Sequence, residues 1–491
     1  MARSRRNARR RQKPARASRV PAASGRTSVA SKRSSTSPQP RDAQTPSPHA
    51  RFVTGSILGH ILVMTGTGAL GLMALFIGDL ANLLFLGQLG DTEVLAAVGF
   101  ASSLLFFSIS IGIGMSIATT AVVSPAIGAG RRDEARRLAT SAMAMTALVS
   151  LAMTVLLLPF LRDVLGWLGA TGRTRTLGTD YLSIVYPKFP LLALGMSASS
   201  ILRSVGDARR AMFVTLSGAI LNVILDPIFI LVFKMGLYGA AWASVLSRVL
   251  TVSVGLYGVA VVHGLLKRPS FVDVRLDATR ILAVGIPVVA TNLATPASNA
   301  FVTKALAGYG DAAMAAWSVG GRVNPVAFGA IFALTSSIGP IIGQNFGARN
   351  FARVRETVTE AVKANIVFTA IAWLGLALSP DLIIRWFGLA GASVDLIYLF
   401  CWWLAPLFMF LGFLFIANAV FNTLRHPHYA TIFNWARATL GTIPFVILGG
   451  HWYGAPGVFI ASMAGGIVFG IAALWTSYRL IAKLEAGQSR E

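Results

Sequence analysis

Cysteine is nearly missing from this sequence, with Cys401 alone among 491 residues. That excludes an intramolecular disulfide and any multi-cysteine metal site. Charge is scarce as well. Asp, Glu, Lys and Arg make up 13% of residues, about half the ~25% usual for a soluble domain. Acids are the rarer sign, 19 against 43 Lys and Arg, for a net charge of +24. The six histidines are scattered, and the His426-Pro427-His428 pair reads as a solvated loop rather than a metal site. No paired catalytic carboxylates, metal constellation or nucleophile elbow is present, so the chain is not read as an enzyme and needs no resident cofactor. The first 51 residues hold fourteen Arg and Lys, one acid and no apolar core, which excludes a secretory signal peptide. Such an arm suits anionic lipid, nucleic acid or a transit peptide. The plainer reading, adopted here, is a disordered basic cytoplasmic tail with no nucleic-acid partner.

What the sequence has in abundance is apolar length. Mean hydropathy is +0.66. Twelve runs of helical length follow one another from 57–86 to 454–479, separated by short polar breaks. Each is long enough to cross ~30 Å of hydrocarbon at ~1.5 Å per residue. The breaks on the side of the tail carry 15 Lys and Arg, and those on the other side 5. The positive side stays in the cytoplasm, so both termini are expected inside, in a multi-pass protein of the plasma membrane (a bacterial inner membrane).

The sequence also repeats. GDTEVLAAVG at 90–99 matches GDAAMAAWSV at 310–319, IGAGRRDEARR at 127–137 matches FGARNFARVRE at 346–356, and YGA at 238–240 recurs at 453–455. The shifts are 220, 219 and 215 residues. The expected fold is therefore an all-α polytopic membrane protein of about twelve transmembrane helices, as two six-helix lobes related by pseudo-two-fold symmetry. The divisions are a tail at 1–51, a first lobe at 52–265, a cytoplasmic linker at 266–280, a second lobe at 281–480 and a cytoplasmic tail at 481–491. Six helices per repeat is an even number, so both halves enter the membrane the same way, with a site expected between lobes.

Ionisable residues inside spans are costly and point to function. Asp79 in helix 1 and Asp226 in helix 5 lie at similar depth, with Asn82 and Asn222 each one turn from its carboxylate and Ser244 level with both. Two carboxylates, two amides and a hydroxyl would make a cage for H⁺ or Na⁺, the only metal ion expected. The second half keeps neither acid. A shift of 220 takes Asp79 to Asn299, and one of 219 takes Asp226 to Phe445. This half holds Arg322 and Arg437 near mid-depth instead, so Asn299, Arg322 and Arg437 form a candidate second-lobe cavity.

NVILDPIFILVFKMGLYGAAWAS at 222–244 resembles the most diagnostic stretch of the multidrug and toxic compound extrusion (MATE) family. FLGQLGDTEVLAAVG at 85–99, LRSVGDARRAM at 202–212 and IGQNFGA at 342–348 are similar to its other motifs. The resemblance implies an antiporter that exports organic, cationic or amphiphilic small molecules in exchange for H⁺ or Na⁺ by alternating access. It also implies coupling residues at Asn222 and Asp226, with Ser244 where Thr is more usual. Helix 1 departs from the pattern, because Asp79 and Asn82 stand in swapped order. The helix-7 Glu of another branch is missing. The alternative is an exporter of a lipid-linked sugar or other amphiphile, which the two arginines would suit.

Overall fold

The computed structural model describes residues 50–488. Residues 1–49 of the basic tail and the last three residues lie outside the described residues. Helix α1 covers Ile57–Gly87, α2 Thr92–Gly128, α3 Arg132–Trp167, α4 Gly172–Ser204, α5 Ala208–Val232 and α6 Gly236–Val262. In the second half, α7 covers Phe271–Ala307, α9 Phe351–Ala377 and α10 Ala392–Thr423. Between them, α8 is a bent pair, Asp311–Ala327 and Gly329–Gly347, meeting at 48°. The last apolar run, Pro427–Gly487, is divided at Gly454, whose φ of 62° no α-helix accommodates. The part before it is α11 and the part after it α12, which makes twelve spans among the described residues. α7 starts inside the stretch read as a linker, and α12 continues to Gln488 into the stretch read as a tail.

Local chemistry sets the starts. Asp91, Asp207 and Asn350 precede α2, α5 and α9, and each side chain accepts a backbone N–H of the first turn. These caps satisfy donors that a helix start leaves unpaired.

The packing divides into four cores, and α1 and α7 each belong to two of them. At the end carrying the basic loops, Ile57, Ile61 and Met64 of α1 pack into the second lobe with Ile338, Ile341, Val354 and Phe421. Leu86, near the other end of α1, packs into the first lobe. The mirror holds for α7. Its Val274, Ile281 and Val288 pack into the first lobe, whereas Val302 and Leu306 pack into the second. The lobes are therefore laced together at the basic end, and their far ends have separate cores.

Backbone contact seals that lacing. A Cβ on Gly128 of α2 would lie 1.9 Å from the Gln344 carbonyl oxygen of α8, and one on Gly347 of α8 would lie 1.9 Å from the Pro125 carbonyl oxygen of α2. Only glycine permits this approach. The Gln344 side chain, fully buried, accepts the Phe52 N–H at 2.8 Å and donates to the Ser204 carbonyl at 2.7 Å. Asn345 and Arg353 donate to the Phe52 carbonyl. On the other side, the buried Asp277 of α7 accepts from Arg137 and Ser141 of α3, both at 2.9 Å.

Candidate functional site

Asp226 is wholly buried in the first lobe, at the end of a regular stretch of α5. Pro227 follows it and cannot donate to the helix ladder. The chain then widens into a π turn over Ile228–Val232. Turns of this type occur often at functional sites.

Two amides hold one oxygen of the carboxylate. Asn82 of α1 and Asn222 of α5 each donate Nδ2 to Asp226 Oδ2 at 2.9 Å. Ser247 of α6 donates to Asn222 Oδ1 at 3.2 Å. The other oxygen, Asp226 Oδ1, is buried without a partner. A buried half-satisfied carboxylate is an expensive arrangement, and it invites an incoming proton or cation.

Of the five coupling residues expected from sequence, three are joined directly: Asn82, Asn222 and Asp226. Ser244 lies beside the Tyr181 hydroxyl of α4 and makes no hydrogen bond to the Asp226 group among the described residues. Asp79 is exposed and takes no hydrogen bond among the described residues, but it lies within electrostatic reach of Asp226 and Tyr181. Sequence reasoning missed Ser247 and Tyr181. Ser247 was detectable, because it shares a helix face with Ser244 at a spacing of three. Arg248, one residue on, donates to the Val185 carbonyl at 3.0 Å rather than reaching for the membrane surface.

The three second-lobe residues are less closely joined. Arg437 of α11 is 8% exposed, and its Nη2 donates to Thr295 Oγ1 of α7 at 3.0 Å. Its Nε is buried without a partner. Asn299 is exposed one turn beyond Thr295 on the same face of α7. Arg322 is exposed on α8 and forms no hydrogen bond or ion pair among the described residues. No group of three or more His, Cys, Asp or Glu among the described residues is placed to hold a metal.

Two laced six-helix lobes, with polar side chains bonded between helices inside them, define a polytopic membrane transporter rather than an enzyme. The particular family follows from comparison. The family model MatE matches residues 69–228 and 287–448, one segment in each lobe, and the chain belongs to that family. Among solved structures it is similar to a mutant of the Vibrio cholerae MATE transporter VcmN, with a TM-score of 0.83 and 28% identity, covering 87% of this chain and 97% of that one. It is similar to a FAD transporter of Shewanella oneidensis, 28% identical over 440 residues, which covers 87% of this chain and 96% of the relative. It is also similar to the multidrug export protein MepA of Staphylococcus aureus, 25% identical over 305 residues, 60% of this chain and 65% of that one. The protein is thus a secondary transporter of organic small molecules that works by alternating access across a bilayer.

Proposed function

We propose that the chain exports organic compounds in exchange for protons, and that Asp226 carries the proton. The protein sits in the plasma membrane with both termini in the cytoplasm, a reading supported by the bias of Lys and Arg toward one set of loops. The observation that carries the coupling is the unequal treatment of the two Asp226 oxygens. Oδ2 accepts two amide N–H groups, and Oδ1 has nothing. A proton added at Oδ1 removes the buried charge without displacing either amide. A sodium ion needs several oxygen ligands, and both amides here present N–H groups to the carboxylate, so the arrangement favours H⁺.

Protonation also has a mechanical consequence. Asn82 belongs to α1 and Asn222 to α5, so the ionised carboxylate ties the two helices together. Bonds to a charged acceptor are about twice as strong as neutral ones. Neutralising Asp226 weakens that tie, and α1 is the helix that also packs into the second lobe.

A second reading concerns the cargo. The family resemblance suggested cationic or amphiphilic compounds. A relative aligned along nearly its whole length is named a transporter of FAD, a dinucleotide with a negatively charged diphosphate. The basic second lobe fits cargo of that charge better than a cation. The test of coupling uses proteoliposomes loaded with a panel of fluorescent cations and flavins, under imposed H⁺ or Na⁺ gradients. Transport should follow ΔpH and ignore Na⁺. Transport driven by Na⁺ alone would overturn the assignment of the proton.

A further inference from the structure

We propose that the second lobe contains an anion subsite centred on Arg437, with Thr295 and Asn299 beside it, which takes the phosphate or carboxylate of an organic substrate. This deepens the transport reading above and rests on it.

The first support is the repeat. The starts of α5 and α11 stand 219 residues apart and the YGA pair near their far ends 215, so the counterpart of Asn222 falls within 437–441, at or one turn from Arg437. The shift of 220 that relates the starts of α2 and α8 brings Asp79 onto Asn299. Thus α7 and α11 stand in the second lobe where α1 and α5 stand in the first. In the first lobe, that helix pair is joined through Asn82, Asn222 and Asp226. In the second, it is joined through Arg437 and Thr295. The corresponding helix pairs hold a carboxylate in one half and a guanidinium in the other.

The second support is the state of Arg437. It is more than nine-tenths buried, ten residues into its span, and its Nε has no partner. No Asp or Glu occurs between residues 278 and 310 or between 396 and 484, so the middles of α7 and α11 offer no internal counter-ion. A buried charge left unbalanced in a membrane span is expensive. An ion pair with cargo would balance it.

The third support is access. Thr295 and Asn299 are exposed and four residues apart on one helix, about 6 Å along the axis. Thr295 already accepts from Arg437, but the Asn299 amide would be unsatisfied against acyl chains, which favours a wet face here. They form a polar strip running away from the guanidinium, suited to the uncharged remainder of a phosphate- or carboxylate-bearing molecule. The planar guanidinium fork matches either oxyanion through paired N–H donors.

Physical separation of the two charges lets the proton and the anion act without sharing a ligand. The anion is then held by the second lobe alone.

The experiment uses full-length protein in detergent at low salt, with probe pairs that differ by one phosphate: FMN against riboflavin, and AMP against adenosine. Wild type should bind the phosphorylated member of at least one pair about tenfold more tightly, the worth of one charge-assisted contact. Arg437→Gln should reduce that preference to less than about threefold, with the loss of affinity falling mainly on the phosphorylated member. Arg437→Lys should keep part of it. Should Arg437→Gln fail to fold, Thr295→Val, which removes the acceptor that orients the guanidinium, should lower the preference, read as the ratio of the two affinities within a pair. Absence of preference in both pairs, or a preference that survives Arg437→Gln in folded protein, overturns the proposal. Export by proteoliposomes under a proton gradient is measured alongside. Phosphate preference without gradient-driven export would sink the antiport reading and leave the subsite standing.

Discussion

The two lobes are alike in how they pack and unlike in what they hold. Each lends the basic half of its first helix to the opposite core, and each closes the seam with one glycine against a carbonyl of the other. The polar interiors differ. The first lobe buries an acid between two amides, and the second buries a base beside a threonine. Duplication preserved the backbone contacts that make rocking of two lobes possible. It did not preserve the chemistry, and in the division proposed above the first half binds the driving ion and the second the cargo. Reciprocity follows from this division: whatever proton binding does to cargo affinity, cargo must do to proton binding by the same factor.

The largest effect should come from erasing the acid side of the comparison. Asp226→Asn keeps an oxygen for one amide and removes the proton site. Gradient-driven export should fall to background, and equilibrium binding of cargo should survive. Measuring both in one preparation of folded variant is the check. Export at the wild-type rate would mean that Asp226 is a structural anchor for the π turn that follows it.

The next effect tests the likeness. Gly128→Ala and Gly347→Ala each place a methyl group 1.9 Å from a carbonyl oxygen of the facing helix. Overpacking of this kind costs about 1–3 kcal/mol. The two variants should lose similar thermal stability in detergent, because the positions are counterparts under the repeat. A large loss in one and none in the other would mean that the seam is asymmetric and that one lobe dominates closure.

Much of this architecture is legible in the sequence, for identifiable reasons. Span number follows from apolar length, and the halves follow from the repeated loop motifs. Asn222 and Asp226 could be paired in advance, because a spacing of four puts them on one helix face. The exchange of α1 and α7 between cores could not be read, since both helices are apolar on several sides and only tertiary contact decides which core each end enters. The bend in α8 and the break in α11 between Ala438 and Ile443 were hidden for a related reason. Glycine and proline occur throughout these spans, and most leave the helix continuous, as Pro125 does in α2. Which α6 hydroxyl reaches Asn222 could not be read, because the rotation of α6 about its axis is set by packing. A phase error of one turn exchanges Ser244 for Ser247.

The smallest effect lies at the basic end, where the inequality of the lobes recurs in two corresponding turns. Gly206 and Asp207 precede α5, and Arg425 and His426 precede α11, 219 residues later. Both turns use a left-handed residue, Gly206 at φ 85° and Arg425 at φ 64°. Burial acts to raise the Asp207 carboxyl, but bonds from Arg210 and His263 outweigh it and hold the group below the ordinary carboxylate range. Burial, then the charges of His428 and Lys483, lower His426 from its ordinary value of 6.5. The signs work out differently. A depressed carboxylate contributes stability above its unfolded value, and loses it only as pH falls through the still lower folded one. A depressed histidine favours the folded state while neutral, and that advantage fades once pH drops below 6.5 toward its folded value. Acidification from pH 7 to 5 should therefore loosen the turn at 424–428 and leave the turn at 205–209 protected. Hydrogen exchange of peptides covering the two turns, corrected for intrinsic rates, is the measurement. His426→Asn should abolish the pH response at the second turn, because the group that takes up the proton is gone. Equal loosening of both turns, or a response that persists in His426→Asn, would show that the difference in charge between the lobes stops short of this end.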